Sequence, residues 1–517
     1  MLKRRFLRPC VALLLLLATS PAASYAANDG ANTTAVTPLP RVVMAVATAP
    51  TTLDCRFATG AVASRLCRLI SLPLVTLDDG LQPHLAAAEK LTQPDAQTYR
   101  FTLRSLKFHD GSPLTAAAVK AYYDSLLDPA VGSPFRGALA GIDRITVPTP
   151  QVIEFHLAAP NPFGLNLFTR PLIKVDSGLA GASLGDRPNG LGPYQVAADS
   201  KATAVVLKRT ATAPIGAPQE LDFPVVPDPV VRLLKVQQGE ADILQNDLPP
   251  ALYRYGKGQG LTALTAPAAS YTYLGFNLTD KVTGNLAVRQ AIAHAIDRNL
   301  LMRTLLVGAA SPARSLLPKG APAYWPAPDL AYDPARAKRL LDDAGFKPGA
   351  DGMRLHIRFS TTSNPGTLLV VQAIQQQLRE VGIDARLNIS EWGTFYGNIK
   401  KGNFQLYLMT WVGLFQPDIF QTVFASSMMP PVGANRGRYQ NPVMDKLIAA
   451  MMVEMDAPKR HQLARQIQQL QQHDLIYVPL WSRDHMVLLR PGLEGYTVPL
   501  DGGYEGLLKV HAAAPAQ

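Results

Sequence analysis

The chain has 517 residues, of which 47% are hydrophobic, ample for two or more packed lobes. The formal net charge is +11, but lysines and arginines are scattered and no aromatic stripe runs among them, which argues against a nucleic-acid-binding surface. Weak attraction to an anionic membrane surface is compatible with this charge.

The first 26 residues have the pattern of a secretory signal peptide. A basic start is followed by a short apolar run and small residues: Lys3, Arg4, Arg5 and Arg8, then Val11–Ala18, then Ser24–Ala26. We expect cleavage near Ala26, which leaves a net charge of +7. Cys10 precedes the apolar run, so lipoprotein processing is not expected. No later segment is apolar for long enough to cross a membrane, so the mature protein is expected to be soluble and periplasmic.

Two cysteines, Cys55 and Cys67, remain after this cleavage. Paired cysteines in an exported chain often form a disulfide, and a loop of about a dozen residues closes without strain. Two buried thiols are the alternative. A metal site is disfavoured, because no Cys-x-x-Cys or histidine cluster accompanies the pair.

Strand and turn signals fill the amino-terminal part. A buried strand starts at Arg41 and stops at Pro50, and residues 99–104 alternate as a second strand. Residues 108–111 predict a turn. Thr115 is placed to cap the amino terminus of the helix that follows.

A long helix is predicted from Asn285, which caps it, to Gly308, which stops it. Its apolar residues recur at steps of three to four. Arg289 and Asp297 lie off that apolar face. They are either ligand contacts or structural ion pairs, and the structural role is favoured.

The next segments predict a βαβ unit. Strands over 353–359 and 383–389 flank a helix over 367–381, so the strands are parallel and the crossover is right-handed. A further strand, Phe404 to Trp411, is expected in the same sheet. Helices over 442–455 and 458–474 then lead into a strand over 476–481.

The loop after Trp411 carries the features of a ligand pocket. Gly413 and Pro417 break the strand, Asp418 supplies a carboxylate, and a polar cluster follows at 435–439. A large aromatic residue beside convergent polar groups is typical of small-molecule sites.

Several stretches, in a consistent order, resemble the family 5 extracellular solute-binding proteins of ABC importers, which include peptide- and nickel-binding proteins. The similar segments are TLD at 52–54, YRFTLRSLKFHDGSPLTAAAV at 99–119, PNGLGPY at 188–194, LLKVQQGEADI at 233–243, residues 276–313, and YDPARAKRLLDDAGF at 332–346. The resemblance covers about residues 41–509.

This resemblance implies an α/β fold: a two-lobed periplasmic binding protein with an extra domain, its discontinuous lobes joined by hinge strands. Lobe I is expected at 41–78, 188–275 and 486–512, the extra domain at 79–187, and lobe II at 276–485. Ligand would lie between the lobes and be enclosed when they close.

Ligand contacts are expected mainly around the loop after Trp411. In peptide-binding relatives an acidic residue three positions after the tryptophan pairs with the peptide ammonium group, but here that position is Leu414. Asp418 could serve from a shifted position, or it could only cap a helix. The remaining candidates are Trp411 and Trp481 as aromatic walls, Asn435, Arg436 as a carboxylate ligand, and, more weakly, Tyr271 and Tyr273.

The sequence therefore predicts a receptor that captures a peptide or peptide-like solute and delivers it to an ABC permease with its partner ATPase. A monomer with no cofactor and no catalytic residues is expected, because no GxSxG, HExxH, phosphate-loop or dinucleotide motif is present. Two alternatives stay open. One is a nonpeptide ligand, such as a nickel chelate, a sugar derivative or a lipid-like molecule. The other is an exported enzyme or chaperone on the same scaffold.

Overall fold

The computed structural model describes residues 38–78, 81–175 and 187–514. The predicted signal peptide at residues 1–26 lies outside the described residues. Within the described ranges, no helix combines the length and apolar character needed to span a bilayer.

The first part of the chain consists mainly of short strands, with a few helices among them. In chain order they are β1 (Val42–Val43), α1 (Ala61–Ile70), β2 (Val75–Leu77), β3 (Pro83–Leu85), β4 (Ala88–Asp95), β5 (Thr98–Leu103), α2 (Ala116–Leu127), α3 (Arg136–Leu139), β6 (Ile142–Thr149), β7 (Val152–Leu157), β8 (Tyr194–Val196), β9 (Ala204–Arg209), β10 (Glu220–Pro224), α4 (Pro229–Gln237), β11 (Ile243–Gln245), α5 (Pro250–Gly258), β12 (Thr262–Pro267) and β13 (Ser270–Phe276).

Longer helices dominate the second part. The elements are α6 (Leu286–Ala295), α7 (Arg298–Leu305), β14 (Ala310–Pro312), α8 (Pro334–Asp343), β15 (Leu355–Thr362), α9 (Pro365–Glu380), β16 (Ile383–Ser390), α10 (Trp392–Lys401), β17 (Leu406–Val412), α11 (Ile419–Phe424), α12 (Pro442–Val453), α13 (Ala457–Asp474), β18 (Tyr477–Leu489), β19 (Leu493–Glu494) and β20 (His511–Ala512). Short 3-10 helices occur at Gly164–Phe168, Ser426–Met428 and Glu505–Lys509.

The extra domain is built on an antiparallel sheet in the order β4-β5-β7-β6. Phe101 and Phe155 from the sheet share one core with Tyr123 from α2. The predicted turn is confirmed by the hydrogen bond from Gly111 N to Phe108 O at 2.9 Å. The predicted cap is confirmed as well, because Thr115 Oγ1 accepts from the backbone of the helix.

Lobe I contains a second sheet, in the order β1-β10-β9-β8, with β1 and β10 parallel. Leu66 of α1 packs in the core of this sheet, while Cys67 on the same helix packs in the core of the extra domain. The glycine turn before β8 fits against the end of α1. A Cβ at Gly192 would lie 2.5 Å from Leu69 O, so only glycine allows this close approach.

The predicted βαβ unit of lobe II is confirmed. β15 and β16 pair in parallel from Leu355–Ile383 to Thr362–Ser390, with α9 between them in the chain. β17 joins the same sheet parallel to β15. Because β15, β16 and β17 run in one direction, their carboxyl ends meet at one edge, where ligand sites of open α/β sheets commonly lie.

The single helix predicted from Asn285 to Gly308 is wrong, since two helices occupy this segment. Asn285 caps α6 as expected, but Ile296 is extended, with φ −106° and ψ 115°. Asp297 then accepts from Leu300 N at 2.8 Å and begins α7. A short aspartate side chain satisfies free backbone N–H groups at a helix start, so it favours a restart over continuation.

Arg289 and Asp297 both have structural roles, though not as ion pairs. Asp297 caps α7. The guanidinium of Arg289 donates to backbone carbonyls, among them Leu475 O at 3.1 Å and Asp474 O at 2.7 Å. Arg289 therefore fastens α6 to the start of β18, and neither residue is retained as a ligand candidate.

β18 passes through both lobes. Its first part pairs with β13 as far as Trp481, and its second part pairs with β12 from Asp484 onward. The predicted strand over 476–481 is thus the beginning of a longer one. β12 and β13 are separated at 268–270, and β18 changes its pairing partner at 482–484. We propose that these two segments are connections between the lobes, which assigns β13 to lobe II.

The TLD segment and the two cysteines form one compact corner beside α1. A disulfide joins Cys55 to Cys67, with their Cα atoms 5.7 Å apart. The residues on either side of Cys55 in the chain, Asp54 and Arg56, form an ion pair whose side chains are both 0% exposed. This corner connects lobe I to the extra domain.

Candidate functional site

The loop after β17 is held in place by the connection between the lobes. β17 ends at Val412, and Gly413 takes a left-handed conformation with φ +74°, which glycine adopts without strain. Gly413 N donates to Ala269 O at 2.8 Å. The loop thus starts at the boundary between lobes I and II.

A cavity of about 310 Å³ opens against this loop. Its lining mixes apolar and polar groups from three parts of the chain. The residues are Leu77 of β2, Asn166 and Thr169 of the extra domain, and Gly413, Leu414, Phe415, Gln416, Asp418, Ile419 and Thr422 of lobe II. This volume is near the lower limit of small-molecule sites, so the cavity suits a small solute better than a long peptide.

Among the described residues of this lining, Asp418 contributes the one carboxylate. It occupies the cap position of α11, but its side chain makes no capping hydrogen bond. Burial raises the pKa of the Asp418 carboxyl, and nearby backbone N–H groups offset this only in part. Within the described residues no basic side chain contributes to the shift, so this carboxylate faces the cavity without a cationic partner.

Leu414 lines the same cavity and is 7% exposed. It packs in the lobe II core that includes Phe420 and Phe424. The position that is acidic in peptide-binding relatives is therefore an apolar wall here, four residues from a carboxylate in the same loop.

Arg436 and Trp411 form a stacked pair behind the cavity loop. The guanidinium carbon of Arg436 lies 4.2 Å from the Trp411 ring centroid, and Arg436 also donates to the hydroxyls of Tyr273 at 3.3 Å and Tyr396 at 3.4 Å. Arg436 is 8% exposed. Stacking and tyrosine hydroxyls hold this cation without a carboxylate, and its reach into the cavity stays a proposal.

The side chains of Asn435 and Trp481 are engaged in contacts within the protein. Asn435 Nδ2 donates to Ala425 O and Tyr439 O, and its Oδ1 accepts from Tyr439 N. Trp481 is 2% exposed and packs in the core of lobe II. The expectation that these two side chains line the pocket is not supported, because one fixes a turn and the other fills a core. Tyr271 and Tyr273 are also buried.

Sequence reasoning missed two residues of the cavity lining and one exposed aromatic residue at the carboxyl edge of the sheet. Asn166 and Thr169 come from the extra domain, more than two hundred residues before Asp418, and no local pattern marks them. Trp392 is 55% exposed at the start of α10 and stacks on Tyr396 at 5.5 Å. Its place directly after β16, at the carboxyl edge of a predicted parallel sheet, was the available signal.

Asp484 marks the connection between the lobes on β18. Burial alone raises the pKa of its carboxyl to about 6. Burial raises the pKa of Tyr253, and the nearby Asp484 carboxylate raises it further by a smaller amount. No basic group of the described chain offsets the desolvation of Asp484.

We expect Asp484→Asn to stabilise the protein at neutral pH. The pKa of Asp484 is higher in the folded state than in the unfolded state, so the protonated carboxyl is compatible with folding near pH 4. As the pH rises through about 6, the buried carboxyl ionises and the free energy of unfolding falls. The free energy of unfolding of the variant should exceed that of the wild type by about 1–2 kcal/mol at pH 7.5, a value reduced to allow for partial solvent exposure. At pH 4 the two free energies should be equal. Urea unfolding at both pH values checks this, with exposed Asp343→Asn as control. An equal gain at both pH values would contradict the desolvation argument.

No group of three or more histidine, cysteine or acidic side chains in the described ranges is arranged to hold a metal ion.

Comparison with known proteins shows where this architecture recurs. A family model described as bacterial extracellular solute-binding proteins, family 5 middle, matches residues 80–427. The glutathione-binding protein GsiB of Salmonella typhi is 28% identical over 487 residues, covering 90% of this chain and 93% of that protein.

Two solved structures share the fold. NikA from Brucella suis, in complex with Fe(III)-EDTA, has a TM-score of 0.81 at 23% identity, and AppA from Bacillus subtilis, in complex with a nonapeptide, has 0.71 at 21%. Each alignment covers 92% of this chain and 100% of the chain in the solved structure. The predicted two-lobed α/β architecture is thereby confirmed.

Proposed function

This chain belongs to the bacterial extracellular solute-binding proteins of family 5, and from that premise we propose that it captures a small peptide with a free amino group, using Asp418 as the anchor for that group. As a substrate-binding protein of an ABC importer, it delivers its solute to the membrane permease, whose ATPase drives transport. Family members are binding proteins, and we infer that this chain returns its ligand unchanged.

One observation carries the assignment of the amine anchor. The Asp418 carboxylate lines the 310 Å³ cavity, makes no capping bond, and has no cationic partner in the described chain. A desolvated carboxylate gains most from a cation that brings its own hydrogen-bond donors. A peptide ammonium group meets this requirement, and Leu414 and Phe415 beside it suit the apolar part of a small side chain.

Glutathione is the first candidate ligand. It is a tripeptide-sized solute with a free amine, and the GsiB relatives are named as glutathione-binding proteins. A cavity near the lower limit of ligand sites agrees with this size. The nonapeptide bound by AppA would need a longer groove than the one lined by these residues.

Closure of the lobes around the ligand is the conformational change that we propose the permease recognises. The connections at 268–270 and 482–484 are short, and the Asp418 loop is bonded to the first of them through Gly413 and Ala269. A ligand that contacts both sides of the cleft favours the closed state by its differential affinity. We propose that the mature protein is an exported monomer, released by cleavage near Ala26.

Asp418→Asn is expected to weaken binding of trialanine and glutathione about 10- to 100-fold, the usual worth of a charge-assisted hydrogen bond. Calorimetric titration measures this, with the N-acetylated forms of both probes as comparison. The acetylated forms should bind the wild type weakly and be little affected by the variant. Asp343→Asn, an exposed carboxylate at the end of α8, is the matched control.

Two results would overturn the assignment. One is an Asp418→Asn variant that keeps the full affinity for free-amine peptides. The other is native mass spectrometry of the protein from the periplasm that shows a defined nonpeptide ligand, which would favour the nonpeptide alternative with Leu414 as the reason.

A further inference from the structure

Phe163 is a buried aromatic residue of the extra domain that lies outside the core of that domain. It immediately precedes the 3-10 helix Gly164–Phe168 and is 9% exposed. Phe168, at the end of this helix, packs against Phe101 in the domain core. Phe163 belongs to none of the hydrophobic cores formed by the described residues. Another part of the chain therefore contributes to its burial.

Arg460 of α13, in lobe II, lies over the Phe163 ring. The guanidinium carbon of Arg460 is 5.4 Å from the ring centroid, a distance at which a cation is attracted to the face of an aromatic ring. Tyr99 of β5 is near the same guanidinium: burial raises the pKa of the Tyr99 hydroxyl, and Arg460 lowers it in part. Arg460 thus reaches from lobe II to the extra domain.

The Arg460 side chain is held in place from within lobe II. Its Nη1 donates to Glu454 O at 2.9 Å and to Met455 O at 3.3 Å, the carbonyls that follow the last turn of α12. Basic side chains commonly satisfy the free carbonyls at the end of a helix. Because these hydrogen bonds lie in the plane of the guanidinium, its face remains available for an aromatic ring.

The contact between Phe163 and Arg460 lies beside the cavity. On the side of the extra domain, Asn166 of the lining donates its backbone N–H to Phe163 O at 3.0 Å. On the side of lobe II, Ile419 and Thr422 of α11 line the cavity, and α11 shares a core with α12, whose end holds Arg460. The contact therefore joins two of the parts of the chain that enclose the cavity.

The extra domain is fastened to lobe I. Cys67 of α1 packs in the core of the extra domain, Ser133 Oγ donates to Arg56 O at 2.8 Å, and Ser71 Oγ donates to Leu172 O. When the lobes separate about the connections at 268–270 and 482–484, the extra domain should move with lobe I. That movement would take Phe163 away from Arg460.

We propose that Phe163 and Arg460 form a clasp that holds the cleft closed over bound ligand and so sets the rate of ligand release. This inference rests on the proposed function, which places the ligand in the adjacent cavity. Neither residue is part of the described lining of that cavity, so both are positioning residues that act through the closed state. The stabilisation expected from a cation–π contact corresponds to about 2- to 30-fold slower release.

Stopped-flow fluorescence with trialanine and glutathione tests the clasp. Phe163→Leu and Arg460→Gln should each raise the dissociation rate about 2- to 30-fold and leave the association rate unchanged, because the clasp forms after the ligand has entered. The double variant should match the faster single variant, since both changes remove the same contact. Phe163→Leu also leaves the bonds from Arg460 to the end of α12 in place.

A matched control is available within the extra domain. The guanidinium carbon of Arg170 lies 3.6 Å from the ring centroid of Phe135, so this pair has the same chemistry but does not join two lobes. Phe135→Leu should leave the dissociation rate unchanged. Lys459→Gln, which removes an exposed charge from the same turn of α13, is the control for Arg460→Gln.

Spin labels report closure without relying on peptide affinity. Labels on cysteines introduced at Lys90 of β4 and Lys446 of α12, both exposed, measure the distance between the extra domain and lobe II. The measurement is made with and without saturating trialanine. Phe163→Leu and Arg460→Gln should each shift the population toward longer distances, and neither control variant should do so.

The outcomes separate the clasp from the proposed function. Clasp variants that leave the label distances unchanged overturn the inference, and if Asp418→Asn still weakens binding, the proposed function stands. A double variant whose effect is the sum of the two single effects also overturns the inference, because it assigns the two side chains separate structural roles. A wild-type protein that binds neither probe overturns the proposed function, whereas longer label distances in both clasp variants, not additive in the double, would still support the clasp.

Discussion

Replacement of Asp54 by alanine is expected to lower the free energy of unfolding by about 3–5 kcal/mol. Both members of the Asp54–Arg56 pair are 0% exposed. Arg56 Nη2 donates to Asp54 Oδ2 at 2.7 Å, Nε donates to Oδ1 at 3.1 Å, and the backbone N–H of Arg56 also donates to Oδ1. The alanine variant therefore removes the Asp54 carboxylate from beside a guanidinium that is itself 0% exposed.

The large loss of stability arises because the Arg56 charge stays buried when the Asp54 carboxylate is removed. The strength of the ion pair itself contributes less. Removing both charges, as in Asp54→Leu with Arg56→Met, should cost less than Asp54→Ala alone, because well-packed apolar groups replace the ions. Urea unfolding followed by circular dichroism measures both variants, with exposed Asp343→Ala as the control. A loss below about 1 kcal/mol for Asp54→Ala would contradict complete burial of the pair.

The TLD segment shows what sequence reasoning could and could not reach. The resemblance placed this segment early in lobe I, directly after the strand predicted from Arg41 to Pro50. Nothing local indicated that Asp54 would be buried against Arg56, because burial depends on α1, and on the extra domain: Ser133 Oγ donates to Arg56 O at 2.8 Å. The contact joins residues 77 positions apart, a separation that local patterns do not encode.

Regular elements were predictable where their periodicity was strong. The β15–α9–β16 unit followed from alternation on both strands and from the glycine at 382, which takes φ +86°. The break between α6 and α7 at Ile296 could not be predicted. The apolar side chain of Ile296 continues the helical periodicity, and only the capping role of Asp297 opposes it. The long β18 was also missed, because Arg483 and Asp484 interrupt its apolar pattern at the connection between the lobes.

The candidate site divides in the same way. The loop from Trp411 to Asp418 could be located, because a strand end, a glycine and a carboxylate coincide there. The lining residues from the extra domain, Asn166 and Thr169, could not be located, since tertiary packing alone brings them to the loop. For Arg436, the residue type predicted a carboxylate ligand, but its stacking on Trp411 and its hydrogen bonds to two tyrosine hydroxyls depend on tertiary packing and could not be predicted.

Removal of the disulfide by the double replacement of Cys55 and Cys67 with alanine is expected to lower the free energy of unfolding by about 3 kcal/mol. The bridge closes a loop with a sequence separation of 12, which restricts the unfolded chain. The cysteines also pack in the core of the extra domain, while α1 contributes Leu66 to the core of lobe I. The loss should therefore loosen the junction between these two units.

Urea unfolding with and without reductant provides the measurement. Reductant should shift the wild-type midpoint toward that of the alanine variant and leave the variant unchanged. The intact mass of oxidised wild-type protein should be lower than the all-thiol mass by two hydrogen atoms, and thiol labelling without reductant should fail. Because the bridge lies apart from the Asp418 loop, the variant should bind trialanine as the wild type does below its unfolding transition. A large loss of affinity would show instead that the corner at 52–67 sets the geometry of the cleft.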